Sequence, residues 1–406
     1  MSLAHNIDFL RRLPKLTTIN GFGDYGRDLR PGRSSPLIET TEFGTNPGGL
    51  RMFSFVPDSL QRPAGLVVVL HGCGQTAASY DLGAGWSTLA KHYGFALLMP
   101  EQQRSNNANG CFNWFNPQDT TRDSGEVCSI RQMIARMVGD IGLDQRRVFV
   151  TGLSAGGAMT SAMLATYPEV FAGGAIIAGL PFGVASNVRE ALNGMFQSPS
   201  RPAGELGDLV RNASGHKGPW PKLSVWHGSA DRTVNPANAN EIVKQWLDLH
   251  GLPASPMSEG TVDGYPRQVW WNAEGETILE SYTITDMAHG TPLGIADNDE
   301  RYGAQGAFLI EAGISSSYHI ADFFGLTEWI RKAKAAAEAA KETAKIIPVV
   351  TPPPPAAPAL APDRTKVVWP RPAPKPAPEP PRKPRRRAIN VGAVITRALT
   401  AAGLMK

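Results

Sequence analysis

Short apolar runs rich in valine, isoleucine and leucine alternate with segments of helical periodicity along most of this chain. The apolar runs are RMFSFV, GLVVVLHG, FALLMPEQ, RVFVTG, GGAIIAGL, KLSVWHG and ILESYTITD, and the helical segments include GWSTLAKHYG, EVCSIRQMIARMVGDIG, AGGAMTSAMLATYP and NANEIVKQWLDLHG. Strands that alternate with helices favour a parallel sheet with crossover helices. Because LVVVL is apolar at every position, its strand should be covered on both faces. The pattern predicts an α/β fold with a mostly parallel central sheet and helices on both faces.

Four segments of different composition follow one another along the chain. Residues 1–48 hold many turn formers and predict an irregular lead-in. Residues 49–346 hold the alternating pattern, which ends in a helix predicted from about Ile320 into TEWIRKAKAAAEAAKETAKI. Residues 347–387 are rich in proline and basic residues, which predicts a disordered, extended linker. Residues 388–406 carry apolar residues at helical spacing and predict a short amphipathic helix.

Charge and hydropathy limit the partners that the main segment is expected to have. The net charge is only +4 over 406 residues, and many basic residues lie near the C-terminus, so nothing points to nucleic acid. The N-terminus has no secretory signal pattern, and no stretch approaches the roughly 20 apolar residues of a membrane span. These features favour a cytoplasmic location.

The segment RVFVTGLSAGGAMTSAML places one serine, Ser154, between a strand and a helix, with Gly152 two residues before it and Gly156 two after. Glycines in this G-x-S-x-G pattern allow the close backbone approach of a tight turn. The pattern could arise by chance in a chain with 42 glycines, but the strand before it and the helix after it favour a nucleophile. A serine hydroxyl reacts only when a base takes its proton.

The α/β-hydrolase arrangement places an acid and then a histidine after the serine in the chain. The histidines that follow Ser154 are His216, His227, His250, His289 and His319. His227 is out of this order, because it comes before the acid that should precede the histidine. His250 lies in the last turn of a helix, and His319 lies near the start of another. His289 directly follows a strand and precedes a Gly-Pro-containing loop, which predicts the base. Asp231, in a turn after the strand KLSVWHG, is the predicted acid.

A Gly-rich turn at the end of the early strand VVVLHGCG offers backbone donors for an oxyanion. The N–H groups of Cys73 and of Ala155, the residue after the serine, are the predicted pair. The alternative is an ordinary turn without a chemical role. Cys73, Cys111 and Cys128 allow one disulfide and one thiol, with Cys73 and Cys111 as a possible pair, or three free thiols.

Taken together, the motifs VVVLHGCGQTA, CFNWF, VFVTGLSAGGAM, HGSADRTVNP and MAHGTPLG resemble the esterase/polyhydroxybutyrate depolymerase family of α/β-hydrolases, over about residues 45–330. The resemblance implies hydrolysis of ester bonds in short-chain polyhydroxyalkanoates or their oligomers. Related esterases of the superfamily cleave feruloyl or acetyl groups from plant polysaccharides, which is the alternative. Ser154, Asp231 and His289 occupy the positions of the family's triad. Because many members are secreted, an extracellular location stays open.

Aromatic residues near the expected site are candidates for substrate contact. Trp114 lies in CFNWF, and Phe182 and Trp220 flank a long stretch, from GLPFG to GPWP, that could cap the site. For the rings of CFNWF, core packing is an equally good interpretation. No cluster of histidine, cysteine and acidic residues shows the spacing of metal ligands, so neither metal nor cofactor is expected.

The basic run at residues 382–387, followed by an apolar stripe, allows contact with a granule or membrane surface, although a solvated tail is the commoner case. Co-sedimentation after deletion of residues 348–406 tests this. A protein that binds surfaces on a hydrolase scaffold is the non-enzyme alternative, and labelling by a fluorophosphonate separates it from an enzyme. The oligomeric state is left open.

Overall fold

A computed structural model describes residues 34–328, and within this range ten strands form one sheet in the order β1-β2-β4-β3-β5-β6-β7-β10-β9-β8. The strands are β1 (Ile38–Thr40), β2 (Arg51–Phe55), β3 (Leu66–Leu70), β4 (Ala96–Glu101), β5 (Val148–Leu153), β6 (Gly173–Ile177), β7 (Lys222–Gly228), β8 (Ser258–Val262), β9 (Tyr265–Trp271) and β10 (Thr277–Ile284). Strands β4, β3, β5, β6, β7 and β10 are parallel to one another. The outer strands pair antiparallel at both edges. The predicted mostly parallel sheet is confirmed.

Helices connect the parallel strands and lie on both faces of the sheet. They are α1 (Ala77–Ala84), α2 (Trp86–Tyr93), α3 (Pro117–Thr120), α4 (Gly125–Ile141), α5 (Ala155–Thr166), α6 (Val188–Gln197), α7 (Ala203–Ser214), α8 (Ala237–His250) and α9 (Ser316–Phe323). Two short strands, β11 (Thr291–Leu293) and β12 (Leu309–Glu311), form a separate parallel pair. None of the helices within residues 34–328 has both the length and the apolar character needed to cross a membrane.

Alternate residues of β3 belong to two different hydrophobic cores. Leu66, Val68 and Leu70 join the core that includes residues of α4, α5 and α8, whereas Val67 and Val69 join the core that includes residues of α1, α2 and α9. Successive side chains of a strand point to opposite faces of the sheet. The apolar run therefore has the two-sided cover that its sequence predicts.

Helix α5 lies at the centre of the fold, with every residue from Ala155 to Thr166 buried. Its first turn touches the end of β3, because a Cβ atom on Gly156 would lie 2.3 Å from the Leu70 carbonyl oxygen and 2.5 Å from that of His71. A Cβ on Gly152 would lie 2.4 Å from the Gly156 carbonyl oxygen. Real Cβ atoms cannot approach this closely, so both positions require glycine.

Two boundaries differ from the sequence prediction. Residues 38–40 form the edge strand β1, although the whole of residues 1–48 is predicted to be irregular. The late helix begins at Ser316, before the predicted Ile320, and ends at Phe323, and Gly325 beyond it has φ 72°. The rest of the predicted helix, beyond residue 328, lies outside the described residues. Glycine in the left-handed region is a common end of a helix.

The antiparallel edge formed by β8 and β9 has no counterpart in the sequence prediction. The two strands are joined by Asp263 and Gly264, whose φ angles are 49° and 85°. Positive φ at both central residues is typical of the tight hairpin turn that Asp-Gly favours. The stretch predicted as a cap contains helices α6 and α7. The predicted linker, terminal helix and surface-binding tail lie outside the described residues.

Replacing Gly156 with alanine should destabilise the protein by about 1–3 kcal/mol, because the new methyl group would overlap backbone oxygens that cannot move aside. Gly139→Ala in α4 is the matched control. A Cβ there has no neighbour within 4 Å, and alanine in a helix is favoured over glycine by about 0.5–1 kcal/mol. Urea denaturation should lower the midpoint of the first variant and raise that of the second. An unchanged midpoint for Gly156→Ala would contradict the close contact.

Candidate active site

Ser154 occupies the sharp turn between β5 and α5, and its backbone has φ 58° and ψ −117°. A non-glycine residue in this region is strained and is maintained only by its surroundings. The backbone N–H of Ser154 donates to the Ile177 carbonyl on β6, and its carbonyl accepts from the Ala158 N–H in α5. These bonds fix the turn, which places the hydroxyl at the carboxyl edge of the sheet.

Three residues that are distant in the chain meet at this edge. The Ser154 hydroxyl lies 2.9 Å from His289 Nε2, and His289 Nδ1 lies 2.6 Å from Asp231 Oδ2. All three side chains are buried. With the proton of the imidazole on Nδ1, the hydroxyl donates to Nε2 and Nδ1 donates to the carboxylate. The arrangement can draw a proton from the hydroxyl and hold the resulting imidazolium beside a negative charge.

The loops after β7 and β10 approach each other closely, which brings Asp231 to His289. The Ala230 N–H donates to the Met287 carbonyl, and the Ser229 N–H donates to the Ile284 carbonyl. A Cβ on Gly228 would lie 2.3 Å from the Met287 oxygen, so this contact requires glycine at the end of β7.

The carboxylate of Asp231 accepts hydrogen bonds on both oxygens. Oδ1 accepts from the N–H groups of Thr233 and Val234, at 2.8 and 2.9 Å. Although burial favours the neutral acid, the hydrogen bonds from His227 and His289 outweigh it and hold the pKa of Asp231 well below its usual range. The Asp231 carboxylate is therefore negatively charged when His289 takes up a proton.

His227 is a site residue that chain order excludes from the predicted triad, because it precedes Asp231. In the structure its Nε2 lies 3.2 Å from Asp231 Oδ2 and 3.0 Å from the Val234 carbonyl oxygen. Its Nδ1 is buried and has no hydrogen-bond partner among the described residues. This pattern fits a neutral ring with the proton on Nε2. The available signal is the four-residue spacing in HGSAD, which places both side chains on one turn.

The first turn of α5 and the turn after β3 lie together, as the contact between Gly156 and the Leu70 and His71 carbonyl oxygens requires. Cys73 and Ala155, the predicted backbone donors, therefore belong to adjacent segments. A disulfide joins Cys73 to Cys111 and so settles the cysteine pairing that the sequence leaves open. Cys128 is a half-buried free thiol.

His71 supports the same turn from within the protein. Its Nδ1 lies 2.8 Å from the Gly72 carbonyl oxygen, and its Nε2 accepts the Gln102 N–H at 3.1 Å. Complete burial lowers the pKa of His71 to about 4, so the ring is neutral near pH 7. This histidine holds the backbone and is not available as a base.

The three aromatic candidates lie in different surroundings. Trp114 packs against the small cluster of Ala158, Leu180 and Val234, next to the first turn of α5 and the Asp231 loop. All three rings pack at the edge of the larger core, and Phe182 and Trp220 do not reach the small cluster. A fourth ring, which no sequence motif indicates, is Phe308; it lies edge-on to the His289 imidazole with centroids 5.8 Å apart.

A cluster of possible metal ligands occurs away from the triad. Among the described residues, the ligand atoms of Asp263, Asp297 and His319 lie within 4.8 Å of one another. They come from three separate segments, so no local spacing could reveal them. His319 Nε2 and Asp263 Oδ2 are 3.0 Å apart, and this hydrogen bond satisfies the buried imidazole.

Comparison with known proteins agrees with this geometry. Residues 53–259 match the family model described as esterase PHB depolymerase. The chain belongs to this family. A poly(3-hydroxyalkanoate) depolymerase C from Paucimonas lemoignei is 47% identical over 291 residues, which cover 71% of this chain and 70% of that protein. The range 53–259 that matches the family model contains Ser154 and Asp231, and His289 lies beyond it.

Other relatives carry different names. A feruloyl esterase B from Neurospora crassa is 35% identical over 73% of this chain and 94% of its own length. An acetylxylan esterase from Coprinopsis cinerea is 34% identical over 63% of this chain and 69% of its own. The solved structure of an acetyl xylan esterase from Aspergillus awamori superposes with a TM-score of 0.61 at 25% identity, covering 72% of this chain and all of that one. The chain is a serine esterase with the α/β-hydrolase fold.

Replacing His227 with phenylalanine should lower kcat on an aryl ester about 10-fold, since Asp231 loses one donor and the Val234 carbonyl loses its partner. His227→Gln, which keeps a donor, should retain most of the activity. Because the pKa of Asp231 is lowered in the folded protein, its carboxylate stabilises the fold. This stabilisation is present above the pKa of an aspartate in the unfolded chain, about 3.9, and is lost as the pH falls toward the lower pKa of the folded state. The stability difference between wild type and His227→Phe should therefore be present at pH 7 and shrink below about pH 4. Equal kcat values, or a pH-independent difference in urea denaturation, would contradict this role.

Proposed function

We propose that this chain hydrolyses the ester bonds of short-chain poly(3-hydroxyalkanoates) or their oligomers, with Ser154, His289 and Asp231 as the catalytic residues. The observation that carries the chemistry is the hydrogen-bonded series from the Ser154 hydroxyl through His289 to Asp231. The 47% identity to the depolymerase of Paucimonas lemoignei supports the substrate class.

In the first half of the reaction, Ser154 Oγ attacks the ester carbonyl carbon while His289 Nε2 takes the hydroxyl proton. Asp231 stabilises the imidazolium, because its buried carboxylate is ionised and accepts from Nδ1. His289 then gives its proton to the leaving alkoxide, and the acyl group stays on Ser154.

The negative oxygen of the tetrahedral intermediate needs donors that are in place before the reaction. The N–H groups of Cys73 and Ala155 are the proposed pair. Support comes from the contact between α5 and the end of β3, and from the disulfide to Cys111 that ties down the Cys73 loop. In the second half, His289 Nε2 takes a proton from water as the water oxygen attacks the acyl carbon. It returns this proton to Ser154 Oγ as the bond between the acyl carbon and Oγ breaks, which releases the acid.

Trp114 and Phe308 are proposed substrate contacts. Trp114 packs beside the first turn of α5, and Phe308 beside the imidazole of His289. Aliphatic ester chains present apolar surface that such rings can cover. Phe182 and Trp220 remain proposed contacts of lower rank, since they do not pack against the small cluster beside the first turn of α5 that Trp114 touches.

Hydrolysis of feruloyl or acetyl esters on plant polysaccharides is the second candidate. It is supported by the feruloyl and acetylxylan esterases among the relatives and by the Aspergillus awamori structure. The chemistry at Ser154 would be the same, and only the groups on either side of the ester would differ.

Ser154→Ala should lower kcat on a p-nitrophenyl ester by about 10³-fold or more while the thermal unfolding of the protein is unchanged. A fluorophosphonate probe should label the wild type and fail to label this variant, because only an activated serine reacts. Ser124→Ala, at a serine outside the triad, is the matched control and should be labelled normally. Turnover retained by a folded Ser154→Ala protein would refute the catalytic assignment.

A panel of substrates separates the two candidates. Soluble 3-hydroxybutyrate oligomers, amorphous polymer granules, methyl ferulate and acetylated xylan are incubated with equal amounts of enzyme, and the released acid is measured. The proposal expects kcat/KM for the oligomers to exceed that for methyl ferulate by at least about 10-fold, the size of effect that one or two pocket contacts supply. The reverse order would favour the second candidate.

A further inference from the structure

Gln75 lies in the turn that carries Cys73 and is almost fully buried. Its side-chain Oε1 accepts the Gly72 N–H at 2.9 Å, and its backbone N–H donates to the Gly72 carbonyl at 3.2 Å. Its Nε2 donates to the Ala307 carbonyl at 3.2 Å. Because one partner is an N–H and the other a carbonyl, the amide has a single possible orientation. Gln75 therefore binds both polar backbone groups of Gly72 and joins them to a distant segment.

The hydrogen bonds to Gly72 fix the direction of the Cys73 N–H. The Gly72 carbonyl and the Cys73 N–H belong to one planar trans peptide, in which the two groups point in opposite directions. The carbonyl accepts from the backbone N–H of Gln75 and from the His71 imidazole. The Gln75 side chain holds the Gly72 N–H on the preceding peptide, so neither peptide beside Gly72 can rotate freely. The N–H is thereby held toward the other side of the peptide.

The segment at the other end of Gln75 reaches the catalytic histidine. Ala307 precedes Phe308, whose carbonyl accepts the Thr291 N–H at 2.8 Å and whose ring lies edge-on to His289. Phe308 has φ 60°, a strained value for an aromatic residue. A Cβ on Gly290 would lie 2.7 Å from the Phe308 oxygen, so the segment and the histidine loop are in direct contact.

We propose that Gln75 is a positioning residue that orients the oxyanion donor of Cys73 and fastens it to the Phe308 segment beside His289. The inference rests on the proposed function, because it takes Cys73 N–H as an oxyanion donor. Gln75 does not touch the reacting atoms, and its effect should fall on the transition state rather than on substrate binding.

The test compares an oxygen ester with the matching thionoester, in which sulfur replaces the carbonyl oxygen. Sulfur is a weak hydrogen-bond acceptor, so the thionoester gains little from the oxyanion donors. The ratio of the two kcat values therefore measures how well the donors are placed. A purely structural loss lowers both rates and leaves the ratio unchanged.

Gln75→Leu removes both side-chain hydrogen bonds, whereas Gln75→Glu at pH 8 keeps the acceptor for Gly72 and loses the donor to Ala307. Gln75→Leu should lower kcat on the oxygen ester about 10- to 100-fold, with KM changed less than about 2-fold, and reduce the ratio about 10-fold. Gln75→Glu should lower both quantities by a smaller factor, about 3-fold. If Gln75→Leu does not fold, the ratio for Gln75→Glu decides.

Thr76→Ala is the matched control in the same turn. Thr76 caps α1 through Ser79, so its loss should lower the melting temperature without changing the ratio. A ratio within about 2-fold of wild type in the folded Gln75 variants would overturn the inference. Activity retained by Ser154→Ala would instead refute the proposed function, so the two failures are distinguishable.

Discussion

The close approach of helix α5 to the carboxyl end of β3 is the constraint on which the site depends. Gly152 and Gly156 permit it, because a Cβ on either would overlap backbone atoms. The same contact forces Ser154 into a strained turn and brings the first turn of α5 beside Cys73. This one contact therefore sets the positions of the proposed nucleophile and of both proposed oxyanion donors. Since every residue of α5 is buried, the core supplies the free energy that maintains the strain.

The electrostatics of the site centre on one carboxylate shared by two imidazoles. His289 needs its second nitrogen free for the Ser154 hydroxyl, whereas His227 donates from Nε2 and leaves Nδ1 without a partner among the described residues. The two rings thus use opposite nitrogens toward Asp231. Two backbone donors occupy the other carboxylate oxygen. With so many donors, the carboxylate cannot rotate away, and the direction of His289 follows from it.

Much of the fold can be predicted from the sequence, because buried parallel strands have unbroken apolar sequences such as LVVVL. The edge strands β8 and β9 lack that signal, since their residues are partly exposed and alternate weakly. For the site, chain order after a strand-turn-helix serine selects Asp231 and His289, and the structure brings them together. The same rule of chain order misses His227, because its hydrogen bond to Asp231, four residues later, forms only when the turn after β7 folds back. Phe308 is hidden too, because its contact with His289 crosses a loop that has no sequence pattern.

The order of strands explains why the site needs long-range ties. Cys73 follows β3, Ser154 follows β5, Asp231 follows β7 and His289 follows β10, so the four residues leave the same edge of the sheet from strands spread across it. Strands β5 and β3 are neighbours, but β6 and β7 separate β5 from β10. The sheet alone cannot hold the first and last of these loops together. A series of hydrogen bonds spans that gap, from Gly72 to Gln75, from Gln75 to Ala307, and from the neighbouring Phe308 to the histidine loop. Because the proposed oxyanion donors and the proposed base must act on one tetrahedral centre, the inferred connection between the two loops would keep their separation constant during the reaction.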